Sequence, residues 1–394
     1  MVVLLYLYSG GVTIKFVDLF CGCGGMSLGF IKAGFKLSGG FENWDYAINC
    51  FNANLNNRGH KMDLSDVSLA VEEIKKLKPE LIIGGPPCQD FSVAGNQVEG
   101  ERADLTYSFA EIIAKCMPKY FVMENVKQVV DSAVYLRAKH LLKKSGYGLT
   151  EKVLDASYCC VPQKRKRFFC VGAINQPDDF LEEMLSGNQS VFPMTIREYM
   201  DSQNIELDFD YYYRHPRTYA RRAIFSVDEP SPTIRGVNRP KPANYKKHPK
   251  DPVDPENTRA LTCTERACIQ TFPIEYNWIG NDSVVDQMIG NAVPVNLAYY
   301  IAYNLRNFDK GKIDNHILSF VGWLQNEKHI KRRAAGDVVS RALRAKRILA
   351  FSNYKKNNYL KKLSETDDYQ RLNKTVQAQV KRAVSLYFEY RQKG

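Results

Sequence analysis

Four side chains in this sequence stand where a regular element breaks, and each type brings usable chemistry. Cys88 follows the apolar run Leu81-Ile82-Ile83 and the punctuation Gly84-Gly85-Pro86-Pro87. The glycines free the backbone and the prolines cannot extend a ladder, so the thiol belongs at the carboxyl end of a short buried strand. Open α/β sheets bind ligands at that end, where a fixed cysteine serves as a nucleophile once its thiolate is stabilised. The plainer reading of any one cysteine is a small buried apolar residue; the turn and the polar stretch 89–105, with Gly95 and Gly100, favour the nucleophile. Glu124 opens Glu124-Asn125-Val126 at the end of the next apparent strand, over the same cleft. In Gln163-x-Arg165-x-Arg167, alternate residues of an extended segment share one face, so two guanidinium groups can enter the cleft together. A basic surface turn is the alternative.

A second constellation lies near the amino end. Residues 13–20 read as a strand, Cys21-Gly22-Cys23-Gly24-Gly25 as a glycine turn and 26–33 as a helix closed by Gly34. That order lets backbone N–H groups approach a ligand without a Cβ in the way. Glu42 follows Gly22 by 20 residues, at the end of the strand predicted over 36–41, where a carboxylate accepts both hydroxyls of a ribose. Nucleotide dehydrogenases share this logic, so the pattern alone leaves the cofactor open. Asp63, taken alone, reads as a helix N-cap.

The elements that must hold these groups form a βαβ series. Helices are predicted over 66–77, 105–115 and 132–144, a strand over 120–123, and a final strand pair over 148–156 and 167–174. Past Gln176 this rhythm stops. Residues 175–258 hold Pro, Arg and Tyr in stretches such as YYYRHPRTYARR and NRPKPANYKKHP; interleaved Arg and Tyr suit contact with nucleic acid. Helical spacing returns over 259–272, and 287–294 leads into a helix that runs to 305. In the remainder, 331–349 and 369–390 are helical, and Arg341, Arg344 and Arg347 follow at intervals of three.

The 394 residues allow two domains and a third small one. No apolar run approaches the roughly 18 residues of a membrane span. From residue 308 on, 20 Lys/Arg face 8 Asp/Glu, while the rest of the chain is balanced at 35 against 35. The whole excess of +12 therefore sits in the tail, which implies a polyanionic partner. The 10 cysteines lack paired four-ligand spacing and only 6 histidines are present, so a reduced cytoplasmic protein without a metal is expected.

The ordered motifs DLFCGCGGMSLGF, PPCQ followed by FS and a glycine, Arg102-x-x-Leu105, ENV, VPQKRKR, RALTCTERACIQTF and QMIGNAVP resemble those of the bacterial DNA cytosine-C5 methyltransferases, over about residues 16–305. The resemblance implies an α/β, doubly wound Rossmann-like domain over 13–174 and 259–307 and a loop-rich target recognition domain over 175–258; the basic helical extension over 308–394 lies outside it and is read from charge and spacing alone. The resemblance also implies S-adenosyl-L-methionine as cofactor, held by Phe20, Gly22, Gly24, Glu42, Asp63, Pro86, Leu105 and Asn291. Cys88, Glu124, Arg165 and Arg167 would be catalytic, with Ser92, Arg217, Arg221, Arg235 and Arg239 on the DNA. It further implies a monomer acting on a flipped cytosine in duplex DNA, with a restriction endonuclease for the same site as companion. Asn43 and Trp44 stand where the family carries an aromatic after the glutamate, Cys160 replaces a glycine before VPQ, and Thr264 and Cys268 replace arginines. An RNA cytosine methyltransferase and a catalytically silent DNA-binding regulator are the competing readings.

Overall fold

The computed structural model describes residues 13–87, 105–190, 192–218, 220–311, 320, 323–325, 327–351 and 354–393. Its centre is a seven-stranded sheet of order β3-β2-β1-β4-β5-β8-β6. The strands are β1 (Lys15–Leu19), β2 (Lys36–Glu42), β3 (Gly59–Lys61), β4 (Leu81–Gly84), β5 (Tyr120–Val126), β6 (Tyr147–Asp155) and β8 (Lys166–Ile174). β1 through β5 pair in parallel, and β8 runs antiparallel between β5 and β6. Strand order reverses between β1 and β4, which opens a crevice at their carboxyl ends.

Alternation along the strands covers both faces. Val17, Leu19 and Ile82 join one apolar cluster with residues of α3 (Val67–Lys76), α4 (Leu105–Cys116) and α5 (Ala133–Lys144). Phe16 points the other way and meets Phe30 of α1 (Gly25–Lys32), ring centroids 5.7 Å apart. On that side α1 also receives α10 (Val295–Asp309) so closely that a Cβ on Gly29 would stand 2.5 Å from the Ala298 Cβ.

The chain divides into two compact units, residues 1–178 with 193–303 and residues 179–192 with 304–394. In the first, residues past Gln176 share an apolar cluster with α2 (Asp45–Asn54), α8 (Cys263–Ile269) and α9 (Asp282–Asn291) rather than building a core apart. There α7 (Ile196–Ser202), β9 (Tyr211–Tyr213) paired with β10 (Ile224–Ser226), and β11 (Ser231–Pro232) are joined by loops. The two-residue β11 pairs in parallel with β7 (Gln163–Lys164). The second unit is helical: Arg332–Ile348, Lys356–Glu365, Asp367–Gln370 and Lys374–Lys393 surround a core that includes Val339, Leu363, Val380 and Phe388. Helix α6 (Glu182–Gly187) belongs to this unit and lies against Arg332–Ile348.

The predicted βαβ series corresponds to observed elements, with shifts of a residue or two at their ends and of three at the end of β5. One cap differs from expectation. Asp66, not Asp63, caps α3 by accepting the Leu69 N–H at 3.0 Å, while Asp63 accepts the Ser65 N–H and closes a turn before it.

Candidate active site

The turn after β1 is built from backbone that side chains rarely adopt. Phe20, Gly22 and Gly24 all have positive φ, at 56°, 52° and 95°. A bulky residue such as Phe20 costs roughly 1–2 kcal/mol in that region, and such strain collects at functional sites. A Cβ on Gly22 would meet nothing within 4 Å, so the turn leaves open space beside its backbone. At Gly24 the surroundings are tighter: a Cβ there would lie 2.8 Å from the end of Leu55 and 3.2 Å from the Phe51 ring.

Glu42, at the end of β2, locks this turn. One oxygen accepts the Gly22 N–H at 2.9 Å, and the other accepts those of Asn43 and Trp44, each at 2.9 Å. A carboxylate has about four acceptor sites, so three backbone bonds orient it and leave capacity for a hydroxyl. Trp44 is half-buried and packs into the cluster around α2. Asp63 is exposed, and its hydrogen bonds with Ser65 hold its carboxyl below the usual range. Leu105 begins α4, half-buried. Asn291 ends α9 with an exposed side chain. Just beyond it the chain returns onto α1, where a Cβ on Gly25 would lie 2.4 Å from the Val293 carbonyl.

Asp18 was not singled out in the sequence. Its side chain is 1 % exposed; one oxygen accepts the Ser27 hydroxyl at 2.6 Å and Oδ1 has no partner among the described residues. Burial, with a smaller push from the nearby Glu42 charge, raises its pKa to about 7.

Across the crevice, β4 and β5 bring Gly84 beside Met123. A Cβ on Gly85 would lie 3.2 Å from the Glu124 carboxylate, so the backbone leading to Cys88 passes that acid directly. Asn125, buried, donates to the Pro86 carbonyl at 3.1 Å and fixes the chain two residues before the thiol. This residue was legible only as part of the ENV triplet. Cys88 and Ser92 themselves lie outside the described residues.

Glu124 does not end its strand as expected; β5 continues to Val126, with Glu124 opposite Phe169 of β8. That pairing delivers Arg167, whose Nε lies 3.0 Å from Glu124 Oε1, with both side chains largely buried at 16 % and 12 % exposure. Burial raises the Glu124 pKa, while the charges of Arg167 and Arg165 pull it down.

The two arginines do not enter the cleft together, because their partners differ. Arg165 donates to the carbonyls of Ile234 at 3.0 Å, Gly290 at 3.0 Å and Ala292 at 3.1 Å. Burial holds its pKa well below the usual arginine value, and a buried guanidinium must be matched by acceptors of this kind. Gln163 completes the knot: its amide donates to Gln270 at 2.8 Å and its carbonyl accepts the Ile234 N–H at 2.9 Å. Cys160 adopts φ 59°, the left-handed geometry that a glycine would favour there. Cys268 is buried in the apolar cluster, while buried Arg266 pairs with Asp286 and Arg259 with Glu265 at 2.7 Å.

Of the arginines expected on DNA, Arg217, Arg221 and Arg239 are exposed and Arg235 is half-buried. Among the described residues none of the four forms an ion pair, whereas Arg197, Arg222 and Arg259 in the same region all do.

Residues 14–307 match the family described as C-5 cytosine-specific DNA methylase. The chain is 50% identical over 303 residues to the type II methyltransferase M.HindV of Haemophilus influenzae, covering 76% of this chain and 99% of that protein. It is likewise 50% identical over 296 residues to M.HgiDI of Herpetosiphon aurantiacus, covering 75% and 95%. The solved Dnmt2 methyltransferases of Spodoptera frugiperda, at a TM-score of 0.57 and 19% identity, and of S. pombe, at 0.56 and 17%, are similar in fold; each comparison covers 75% of this chain, with 100% and 99% of theirs. The chain therefore belongs to the C-5 cytosine-specific DNA methylase family and is a DNA cytosine-5 methyltransferase.

Proposed function

We propose that this enzyme methylates C5 of a cytosine flipped out of a specific duplex DNA sequence, through a covalent adduct with Cys88. The observation that carries the reading is the largely buried Glu124–Arg167 pair beside the backbone that leads to Cys88. Cytosine C5 is a poor nucleophile. Addition of the Cys88 thiolate to C6 breaks the C5–C6 double bond and leaves C5 enamine-like. Glu124, whose pKa is raised by burial, would share its proton with N3 and take up the charge that develops on the ring. Arg167 would orient that carboxyl group, while Arg165 would keep the surrounding backbone in place.

The turn at Phe20–Gly24 and the Glu42 carboxylate fit S-adenosyl-L-methionine: there is open space at Gly22 and a residual acceptor for ribose. Phe20, Gly22, Gly24, Glu42, Asp63, Pro86, Leu105 and Asn291 would hold it, and when bound it supplies an electrophilic methyl group. Loss of the C5 proton and expulsion of the Cys88 thiolate then restore the aromatic ring. A stacked base cannot be reached in this way, so the target must leave the duplex at a cost of a few kcal/mol. Ser92, Arg217, Arg221, Arg235 and Arg239 would contact the DNA. The helical unit, with exposed Lys355, Lys356, Lys361 and Lys374, would lie on phosphates and add affinity without reading bases.

A duplex carrying 5-fluorocytosine at the target tests the mechanism, because fluorine cannot leave C5 as a proton does. Wild type should form an adduct stable to denaturing electrophoresis and Cys88→Ser should form none. Cys88→Ser turnover above about a hundredth of wild type would exclude the covalent route, since that factor corresponds to only about 2.7 kcal/mol.

A further inference from the structure

The region past Gln176 sorts its arginines into two sets. Arg197, Arg222, Arg259 and Arg266 are neutralised by carboxylates. Among the described residues Arg217, Arg235 and Arg239 are not, and the positive charges of Arg217 and Arg239 act on Arg235. Such a cluster is unfavourable in the free protein and is relieved when a ligand brings acceptors.

Arg235 differs from the other two in how its backbone is held. The Ile234 N–H is bound by Gln163 at 2.9 Å and the Ile234 carbonyl by Arg165 at 3.0 Å. The carbonyl of Arg235 itself accepts from buried Arg266. Thr233 donates to the Lys164 carbonyl at 2.7 Å, and its own carbonyl accepts from Arg214 at 2.7 Å. Gly236 and Gly290 touch so closely that a Cβ on Gly290 would stand 2.0 Å from the Gly236 nitrogen. The Arg235 side chain donates to the His215 carbonyl, which fixes its direction and leaves most of its five N–H groups to give. Gln163 and Arg165 lie on the segment that carries Arg167 to Glu124, so Arg235 has a fixed register relative to the acid of the catalytic site. Phosphates can be met by free arms, whereas base readout needs a donor fork in a fixed place, and the fork of arginine matches the O6 and N7 edge of guanine.

We propose that Arg235 is a specificity-determining residue that reads a guanine of the methylated sequence through O6 and N7, with Arg217 and Arg239 on flanking phosphates. The proposal rests on the reading that the enzyme methylates a specific duplex sequence.

Bisulfite sequencing of DNA from cells expressing the full chain first identifies that sequence. Duplexes in which each guanine in turn is replaced by 7-deazaguanine, which lacks the N7 acceptor, are then bound to wild type, Arg235→Ala and Arg235→Lys, with thermal melting as a check on folding. One position should weaken wild-type binding by roughly 5- to 100-fold. That penalty should vanish in Arg235→Ala and shrink in Arg235→Lys, while penalties at other positions persist. Arg217→Ala and Arg239→Ala should weaken all duplexes alike and each lower the salt slope by about 1. The proposal is overturned, with the function intact, if Arg235→Ala keeps every wild-type penalty or weakens all duplexes uniformly with a shallower salt slope. A wild type that modifies no cytosine in DNA would overturn the function and this proposal with it.

Discussion

Glu124 sits under opposed influences, with burial raising its pKa and the Arg167 and Arg165 charges lowering it. If the protonated carboxyl group acts at N3, the rate of the chemical step falls as pH rises through that pKa. Arg167→Gln removes a lowering influence, so the falling limb should move to higher pH as well as to lower rate. Single-turnover methylation measured between pH 5 and 9 checks this; a shift to lower pH would refute the role. Asp18 gives a stability prediction. Its folded pKa of about 7 lies above the roughly 3.9 of a free aspartate, so the folded state binds the extra proton and stability falls as pH rises from about 4 to 7. Asp18→Asn cannot ionise. Relative to wild type it should gain on the order of 1–3 kcal/mol between pH 5 and 8; a pH-independent difference between the two melting curves would contradict this.

At the scale of elements, α9 and the loop at Thr233–Gly236 meet backbone to backbone. Gly290→Ala would place a Cβ 2.0 Å from the Gly236 nitrogen and 2.2 Å from the Arg235 carbonyl carbon, neither of which can rotate away. It should destabilise the protein by roughly 1–3 kcal/mol. Sequence discrimination should fall more than S-adenosyl-L-methionine binding, as competition between cognate and altered duplexes and calorimetry would report. Equal loss in both would mean that the junction serves stability alone. It was only half legible in the sequence. The QMIGNAVP and VPQKRKR motifs were visible, but nothing in them indicated that Arg165 and Gln163 bind the backbone of a loop some 70 residues away.

At the scale of the molecule, the part of the helical unit from residue 308 on lies outside the family match, which ends at residue 307. Deleting it would be a poor test, because α6 packs on Arg332–Ile348 and a Cβ on Gly187 would stand 2.7 Å from Leu343. Replacing exposed Lys355, Lys356, Lys361, Arg371 and Lys374 by Gln leaves that core whole. Affinity for DNA should fall, the slope of log K against log salt should flatten by up to about 0.9 for each phosphate no longer neutralised, and the methylated sequence should stay the same. An unchanged slope would make these charges a solvated surface.

What the sequence determined alone was local or periodic: a βαβ series, a glycine turn, and a family resemblance carried by ordered motifs. Strand alternation and turn residues act over a few positions, so one chain read in order reveals them. Tertiary structure decided which groups meet. Arg167 reaches Glu124 because β8 runs antiparallel to β5, while Arg165, two residues earlier, turns to backbone carbonyls. Asp18 gained its raised pKa from complete burial in the folded chain. Residues 179–192 joined the basic tail although no local pattern joins them. Burial and hydrogen bonding across long sequence separations depend on where distant segments pack, and no spacing within either segment records that.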